Sequence, residues 1–174
     1  MAVSFQFFNA TSLSCYLSGY GPLSRASWQA ANGLSNYITG GRMELGMMIF
    51  FLGLFGNIFH DDELREIRRS ALRSQAQADP SRGLNKDGKG VHKIYQIPQN
   101  GLFNYILYPH YLCEWIEWAG FYLMTGSSCV PARNFLINEI AAMLPRAVQG
   151  KKWYIEKFGK EKIGGKKAVL PGIL

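Results

Sequence analysis

The sequence predicts an all-α protein, an integral membrane helical bundle with about four transmembrane helices, and two observations carry this prediction. Of the 174 residues, 48% are hydrophobic and only 18% are charged, whereas charged residues make up roughly 25% of an ordinary soluble domain. The hydrophobic residues are concentrated in four long runs, and a bilayer span needs about 20 mostly apolar residues. Four such runs would leave a soluble chain of this length with little polar surface. We therefore expect one membrane domain that covers residues 1–174.

The four predicted spans differ in quality along the chain. The first, at about 3–21, is apolar and aromatic but rich in Ser, Gly and Asn, so it is a weaker candidate. The second, at about 44–60, carries no charge after its first residue, and the third and fourth, at about 102–124 and 128–144, contain few ionisable residues. Any one of these runs alone would also suit the buried core helix of a soluble protein, so the membrane interpretation depends on the four together.

The positive charges are clustered, and their positions predict the topology. Sixteen of the 19 Lys and Arg lie in two blocks, eight in 60–93 and eight in 146–167. Cytoplasmic flanks of membrane spans carry such an excess, which predicts a cytosolic loop over 61–100 and a cytosolic tail over 145–174. The net charge of +7 would by itself also suit a nucleic-acid-binding protein. Because the charges flank the apolar runs, we expect no nucleic-acid partner.

Three ionisable residues lie within the third predicted span. His110, Glu114 and Glu117 follow at i, i+4 and i+7, which places them on one helix face, and Pro109 stands where a proline can begin a helix. Ionisable groups at membrane depth are costly and usually face a cavity or a partner. This face predicts a polar ligand site, with hydrogen bonding between helices as the alternative. The three cysteines lack the spacing of zinc ligands, so no metal is expected.

A second polar stripe leads out of the 44–60 run into the basic loop. Asn57, Asp61, Leu64 and Arg68 follow at i, i+4, i+7 and i+11 and present an amide, a carboxylate and a guanidinium. Arginine can bind a phosphate bidentately, while amide and carboxylate groups suit ribose hydroxyls. From these residues alone the favoured alternative is a solvated helix end with ion pairs such as that of Asp61 with Arg65. No Gly-x-Gly-x-x-Gly motif is present, so a dinucleotide would have to be held without a Rossmann site.

Five ordered blocks cover essentially the whole chain and identify a family. They are Gly56-Asn57-Ile58 followed by Asp61 and Arg68, Tyr95-Gln-Ile-Pro98 through Tyr105, Pro109-His110-Tyr111 through Trp118, Pro145-Arg146-Ala147 followed by Lys152-Trp153-Tyr154, and Lys167-Ala-Val-Leu-Pro171. Together they resemble the C-terminal region of the steroid 5-alpha-reductase (3-oxo-5-alpha-steroid 4-dehydrogenase) family. The resemblance favours the binding interpretation of the 57–68 stripe over the solvated helix end.

The resemblance implies a multi-pass enzyme of the endoplasmic reticulum membrane, with about seven helices in the complete family fold. It implies NADPH as hydride donor and reduction of a carbon–carbon double bond conjugated to a ketone, in a steroid or a related lipid. It implies that Glu114, with His110 one turn before it, meets the nicotinamide end as the candidate catalytic pair. The cofactor-binding residues that it implies are Asn57, Asp61, Arg68, Tyr95, Arg146 and Tyr154.

The sequence departs from the family pattern at three places. It begins at about the family's fourth helix, so we expect an N-terminally truncated chain without the tyrosine and the acidic residue that polarise the substrate ketone. Asn100 replaces the first glycine of the usual Gly-Gly pair, and Gly150 and Lys151 stand where many members have histidine. Two alternatives stay open: a polyprenol or enoyl-thioester reductase of the same superfamily, and a non-catalytic membrane fragment that only packs with a partner.

Overall fold

The computed structural model describes residues 2–18, 41–78, 95–126 and 129–172. Over these ranges the secondary structure is helical, without strands, which confirms the all-α prediction there. The elements are α1 (Ala2–Leu17), α2 (Arg42–Ala78), a 3-10 turn (Gly101–Asn104), α3 (Pro109–Thr125), α4 (Val130–Phe158) and α5 (Lys160–Ile163). The end of the first predicted span and the middle of the predicted loop 61–100 lie outside the described residues.

Helix α2 is longer than the span predicted at 44–60. It runs for 37 residues, so the first part of the predicted loop, up to Ala78, is helical. No glycine or proline occurs between Gly56 and Pro80, and the intervening Glu, Leu, Arg and Ala are good helix formers. The hydrophobic run therefore marks the apolar half of a helix and not its end.

The other two predicted spans also have different ends. Helix α3 begins at Pro109, because a proline fits the first helical position and disfavours helix before it; residues 102–108 are therefore outside the helix. Helix α4 continues through Pro145 to Phe158, so the predicted cytosolic tail starts as a helix.

The lengths of the helices bear on the number of membrane spans. Among the described residues, one helix is both long and apolar enough to cross a membrane: Arg42–Ser74, with a mean hydropathy of 1.4. Helices α1 and α3 have 16 and 17 residues, which at about 1.5 Å per residue give about 24–26 Å, short of the ~30 Å hydrocarbon core. The count of four spans stays a prediction.

The chain divides into two compact units. Unit 1 comprises Met1–Gly56 and Tyr111–Arg146, and unit 2 comprises Asn57–His110 and Ala147–Leu174. The divisions fall inside α2, α3 and α4. Unit 1 takes the apolar part of each of these helices, and unit 2 takes the charged parts of α2 and α4.

In unit 1, glycines let the backbones of α2 and α3 approach closely. A Cβ atom at Gly120 would lie 2.7 Å from the carbonyl oxygen of Gly46, and a Cβ at Gly46 would lie 2.9 Å from the carbonyl oxygen of Gly120. Seven residues beyond Gly46, a Cβ at Gly53 would collide with the backbones of Cys113 and Glu117. Small residues at such an interface are typical of helix pairs in membranes.

Aromatic and small side chains complete the core of unit 1. The buried Tyr16 of α1 packs with Cys129 and Ala132 at the start of α4. Between α3 and α4, the ring centroids of Trp118 and Phe135 are 4.0 Å apart. Helices α1, α3 and α4 are thereby held in one packed group.

In unit 2, the C-terminal tail pairs with the segment that precedes α3. The N–H of Leu107 donates to the carbonyl of Lys167, and the N–H of Tyr108 donates to that of Ala168, both at 2.9 Å. An isolated parallel bridge joins Ile106 to Lys167. Around this pairing lie the fully buried side chains of Phe103, Ile106, Ile163 and Val169. The tail therefore fixes the backbone from which α3 starts.

Candidate functional site

Of the four arginines in the charged half of α2, one forms no ion pair with a described residue. Within the part of the chain that the structure describes, Arg65, Arg69 and Arg73 form ion pairs with carboxylates of the same helix at 2.7–3.8 Å, whereas Arg68 forms none. The predicted pair of Asp61 with Arg65 is present, with a separation of 2.7 Å. The exposed guanidinium of Arg68 is thus available to an anion.

A group of aromatic rings in unit 2 includes two of the predicted site residues. The ring centroid of Tyr108 lies 5.9 Å from that of His110 and 6.4 Å from that of Tyr154. The charge of Arg68 acts on both His110 and Tyr154, and the charge of Asp61 acts on His110. Of the predicted site residues, His110 and Tyr154 therefore flank Tyr108, and the charges of Asp61 and Arg68 act on these two residues.

Burial favours the protonated form of the phenol of Tyr154. Desolvation raises its pKa, and the nearby positive charge of Arg68 opposes this shift only in part. Tyr154 thus carries its proton at neutral pH and can donate a hydrogen bond as well as accept one. A neutral donor beside a cation suits the oxygen atoms of a phosphate or a ribose.

Tyr95 lies at a different place in unit 2. Its ring centroid is 5.0 Å from that of Trp153, and the Nζ atom of Lys157 lies 4.1 Å from the centroid of its ring. Trp153 and Lys157 are one helical turn apart on α4, and a cation over an aromatic ring is an attractive arrangement. Tyr95 and Trp153 remain 42% and 38% exposed, so this pair offers an aromatic surface to a ligand.

The remaining predicted residues have these positions. Asn57 is half-buried on α2, one turn before Asp61. Glu114 and Arg146 belong to unit 1. There the charges of Glu117 and Glu139 act on Glu114, and the charge of Arg146 acts on Glu139.

His60 is a residue that the sequence analysis missed. It is only 4% exposed, and its Nε2 atom accepts a hydrogen bond from the N–H of Leu102 at 3.1 Å. Because Nε2 is the acceptor, the neutral imidazole carries its proton on Nδ1. His60 fixes the 3-10 turn onto α2 and so helps to place the segment that leads to His110. A single histidine at the end of an apolar run gives no sequence signal of this contact.

The structure also accounts for the departure at Asn100. Its Nδ2 atom donates to the Oε1 atom of Glu63 at 2.6 Å, which ties the start of the 3-10 turn to α2. The position that requires glycine is the next one, since Gly101 has φ +59° and a Cβ there would lie 3.0 Å from the His60 ring. Replacing the first glycine of the pair by Asn therefore adds a contact without straining the turn.

The donor set around Tyr108 suits a phosphorylated, aromatic ligand. It offers a guanidinium without an ion pair among the described residues, a half-buried phenol, an imidazole and a carboxylate, and Tyr95 with Trp153 adds rings in the same unit. Over the described ranges no group of three or more His, Cys, Asp or Glu could hold a metal ion. These residues fit the phosphates, ribose hydroxyls and bases of a dinucleotide.

Comparison with known proteins gives consistent matches. The model of the family described as 3-oxo-5-alpha-steroid 4-dehydrogenase matches residues 1–174. An uncharacterized protein of Schizosaccharomyces pombe is 37% identical over 174 residues, which are 99% of this chain and 55% of that protein. The steroid 5-alpha-reductase DET2 of Solanum lycopersicum is 37% identical over 75% of this chain and 42% of its own length. The 3-oxo-5-alpha-steroid 4-dehydrogenase 2 of Sus scrofa is 31% identical over 76% of this chain and 43% of its own length. The chain spans about half the length of the curated relatives it matches.

Proposed function

Because the chain belongs to the 3-oxo-5-alpha-steroid 4-dehydrogenase family, we propose that it is the NADPH-binding part of a membrane-embedded reductase. The reaction is the reduction of a carbon–carbon double bond conjugated to a ketone, in a steroid or a related lipid. The names of the relatives from Solanum lycopersicum and Sus scrofa support a steroid as the substrate class. Since the chain matches only about half of each, the activity and the substrate are part of this proposal.

One observation supports the cofactor assignment: among the described residues Arg68 has no carboxylate partner, and its charge acts on Tyr154 and His110. In Rossmann-type sites an arginine accommodates the 2′-phosphate of NADP, and the planar guanidinium of an arginine can bind a phosphate bidentately in any fold. Asp61 lies about two turns before Arg68 on α2 and supplies acceptors for ribose hydroxyls. Asn57, about three turns before Arg68, supplies an acceptor and a donor. Tyr95 and the exposed Arg146 supply further contacts for the adenosine and phosphate part.

NADPH supplies a hydride when it is bound, and the protein supplies binding, orientation and electrostatics. In this assignment Glu114 and His110 hold the nicotinamide end from successive turns of α3. The carboxyl group of Glu114 can hold a carboxamide in a fixed orientation, and His110 is packed against Tyr108. Tyr154, which keeps its proton, donates to phosphate or ribose oxygen.

A multi-pass position in the membrane of the endoplasmic reticulum is part of the same proposal. The apolar half of α2 exposes Met48, Leu52 and Phe55 by 70%, 70% and 66%. An apolar surface of this extent needs lipid or further helices to cover it. The basic blocks over 60–93 and 146–167 then face the cytosol, where NADPH is found.

Replacing Arg68 by Ala tests the cofactor assignment. We expect the affinity of the purified chain in detergent for NADPH to fall about 10- to 100-fold, because a hydrogen bond to a charged group contributes about 1.5–3 kcal/mol. Titration followed by NADPH fluorescence measures it. Arg69→Ala is the matched control, since Arg69 is the adjacent arginine, is similarly exposed and pairs with Glu66; its affinity should stay within about twofold.

Equal losses in both arginine variants would mean that the effect is one of net charge, and the specific role of Arg68 would be wrong. If the unsubstituted chain shows no saturable NADPH binding, the proposed function itself is contradicted. The remaining interpretation would then be a membrane fragment that only packs with a partner.

Replacing Glu114 by Gln tests the nicotinamide end. A carboxylate–amide hydrogen bond becomes a weaker neutral one, so NADPH affinity should fall about 10-fold, which corresponds to about 1.4 kcal/mol. Glu117→Gln, one turn farther along α3, is the matched control and should change the affinity by less than about threefold. The same fluorescence titration reports both variants, and a larger loss in Glu117→Gln than in Glu114→Gln would reverse the assignment.

A further inference from the structure

Tyr108 contacts two of the predicted site residues of unit 2, His110 and Tyr154. Its backbone N–H donates to the carbonyl of Ala168 at 2.9 Å, and Pro109 follows it directly, so its backbone is fixed from both sides. From this position its ring lies 5.9 Å from the ring of His110 and 6.4 Å from the ring of Tyr154, measured between centroids. The side chain therefore contacts two residues that the proposed function places on the cofactor.

The hydroxyl of Tyr108 lies directly over Gly150 of α4. A Cβ atom at position 150 would overlap the hydroxyl oxygen of Tyr108 and would lie 3.0 Å from its Cε2 atom. Any residue other than glycine at position 150 would therefore force the Tyr108 ring to move. The room over Gly150 is what permits the observed position of Tyr108.

The backbone conformation at position 150 does not require a glycine. Its φ is not in the left-handed region, it lies inside the Val130–Phe158 helix, and glycine is less favourable than alanine at such a position. The same helix carries Tyr154 one turn later, so Gly150 and Tyr154 lie on one face. The Tyr108 ring thus lies along the face of α4 that presents Tyr154.

We propose that Tyr108 is a positioning residue of the cofactor site, which sets the separation of His110 and Tyr154, and that Gly150 is the position on α4 that admits it. This proposal rests on the proposed function. Tyr108 acts through its two neighbours, because its ring packs against the ring of His110 and the ring of Tyr154. The phenol reaches α4 from the segment before α3, where a side chain at position 150 would otherwise project.

The test measures NADPH affinity of the full chain in detergent, together with the melting temperature of the ligand-free protein. In Tyr108→Phe the ring remains, so affinity should stay within about twofold, whereas Tyr108→Leu loses the aromatic contacts and should bind about tenfold more weakly, a change of about 1.4 kcal/mol. Gly150→Ala should weaken binding to a similar extent, because the ring is displaced. Gly165→Ala is the matched control, since a Cβ at Gly165 meets nothing within 4 Å, and it should bind as the unsubstituted chain does.

The coupling of the two positions is tested by the double variant Tyr108→Leu/Gly150→Ala. With the ring absent, Gly150→Ala should cost little further affinity and little melting temperature, since residues in contact give non-additive effects. Equal costs of Gly150→Ala in both backgrounds would overturn the role of Gly150. Affinities that are unchanged in Tyr108→Leu, or that fall only as far as its folded fraction falls, would overturn the positioning role while the unsubstituted chain still binds NADPH. An unsubstituted chain that does not bind NADPH would overturn the proposed function, and the positioning role with it.

Discussion

Deletion of residues 166–174 should unfold unit 2 and abolish NADPH binding. The deleted segment contributes Ala168 and Val169 to the core, at 1% and 0% exposure. Its backbone forms three hydrogen bonds at 2.9 Å with residues 105–108. The Nζ atom of Lys166 also donates to the carbonyl of Pro98 and to the Oε1 atom of Gln99, both at 3.1 Å.

The expected size of this effect follows from the same contacts. Each backbone hydrogen bond contributes about 0.5–1.5 kcal/mol, and burial of the Val169 side chain about 1.5–3 kcal/mol. Together they amount to a large share of the roughly 5–15 kcal/mol by which a domain is usually stable. Without the tail, residues 105–108 lose the pairing that positions Tyr108 and the start of α3, so binding should be lost as well.

The matched control for this deletion removes residues 171–174 alone. Pro171 and Gly172 are exposed, and this shorter deletion keeps Val169 and the backbone pairing. We expect the shorter chain to show the melting curve and the limited-proteolysis pattern of the full chain, and the longer deletion to be cleaved rapidly within residues 95–108. Resistance of the longer deletion to protease would show that the tail pairing is not needed for the structure of unit 2.

Hydrophobic runs predicted which parts of the chain are helical but not where the helices end. An apolar run marks the part of a helix that faces an apolar environment, whereas the helix itself continues as long as its backbone hydrogen bonds and local propensities allow. For this reason α2 passes residue 60 and extends to Ala78, and α4 passes Pro145 and extends to Phe158. The start of α3 at Pro109 was predictable in kind, because a proline at the first helical position leaves a clear signal in the sequence.

The candidate site was predictable where it depends on helical spacing and not where it depends on contacts between distant segments. The period of α2 gave the stripe of Asp61 and Arg68 and the ion pair of Asp61 with Arg65. The bond from Leu102 to His60 joins residues 42 positions apart, and the contact of Tyr108 with Gly150 is equally remote in sequence. Such contacts depend on tertiary packing that no local sequence pattern encodes. The need for glycine at position 150 follows only from the position of the Tyr108 ring against it.

Replacement of Gly120 by Leu should prevent the packing of α2 against α3 in unit 1. A Cβ at this position would lie 2.7 Å from the carbonyl oxygen of Gly46 and 2.8 Å from the Cα of Phe50. Overpacking of a core usually costs about 1–3 kcal/mol because side chains can move aside. Here the opposing atoms belong to the backbone of another helix, so the helices themselves must separate, and we expect a larger loss with aggregation of the purified protein. Ala119→Leu, the adjacent position on α3, is the matched control for added volume and hydrophobicity.

Size-exclusion profiles and melting temperatures in detergent distinguish the two leucine variants. A melting temperature of Gly120→Leu equal to that of Ala119→Leu would contradict the close packing of the two backbones. Because the position opposite Gly120 is itself a glycine, no shorter residue there can compensate.

At Gly56, by contrast, a Cβ would lie 2.8 Å from the Sγ atom of Cys113, which is a side-chain atom. Gly56→Ala should therefore destabilise the protein, and the double variant Gly56→Ala/Cys113→Gly should recover part of the loss, since the second substitution removes the atom that the first one meets.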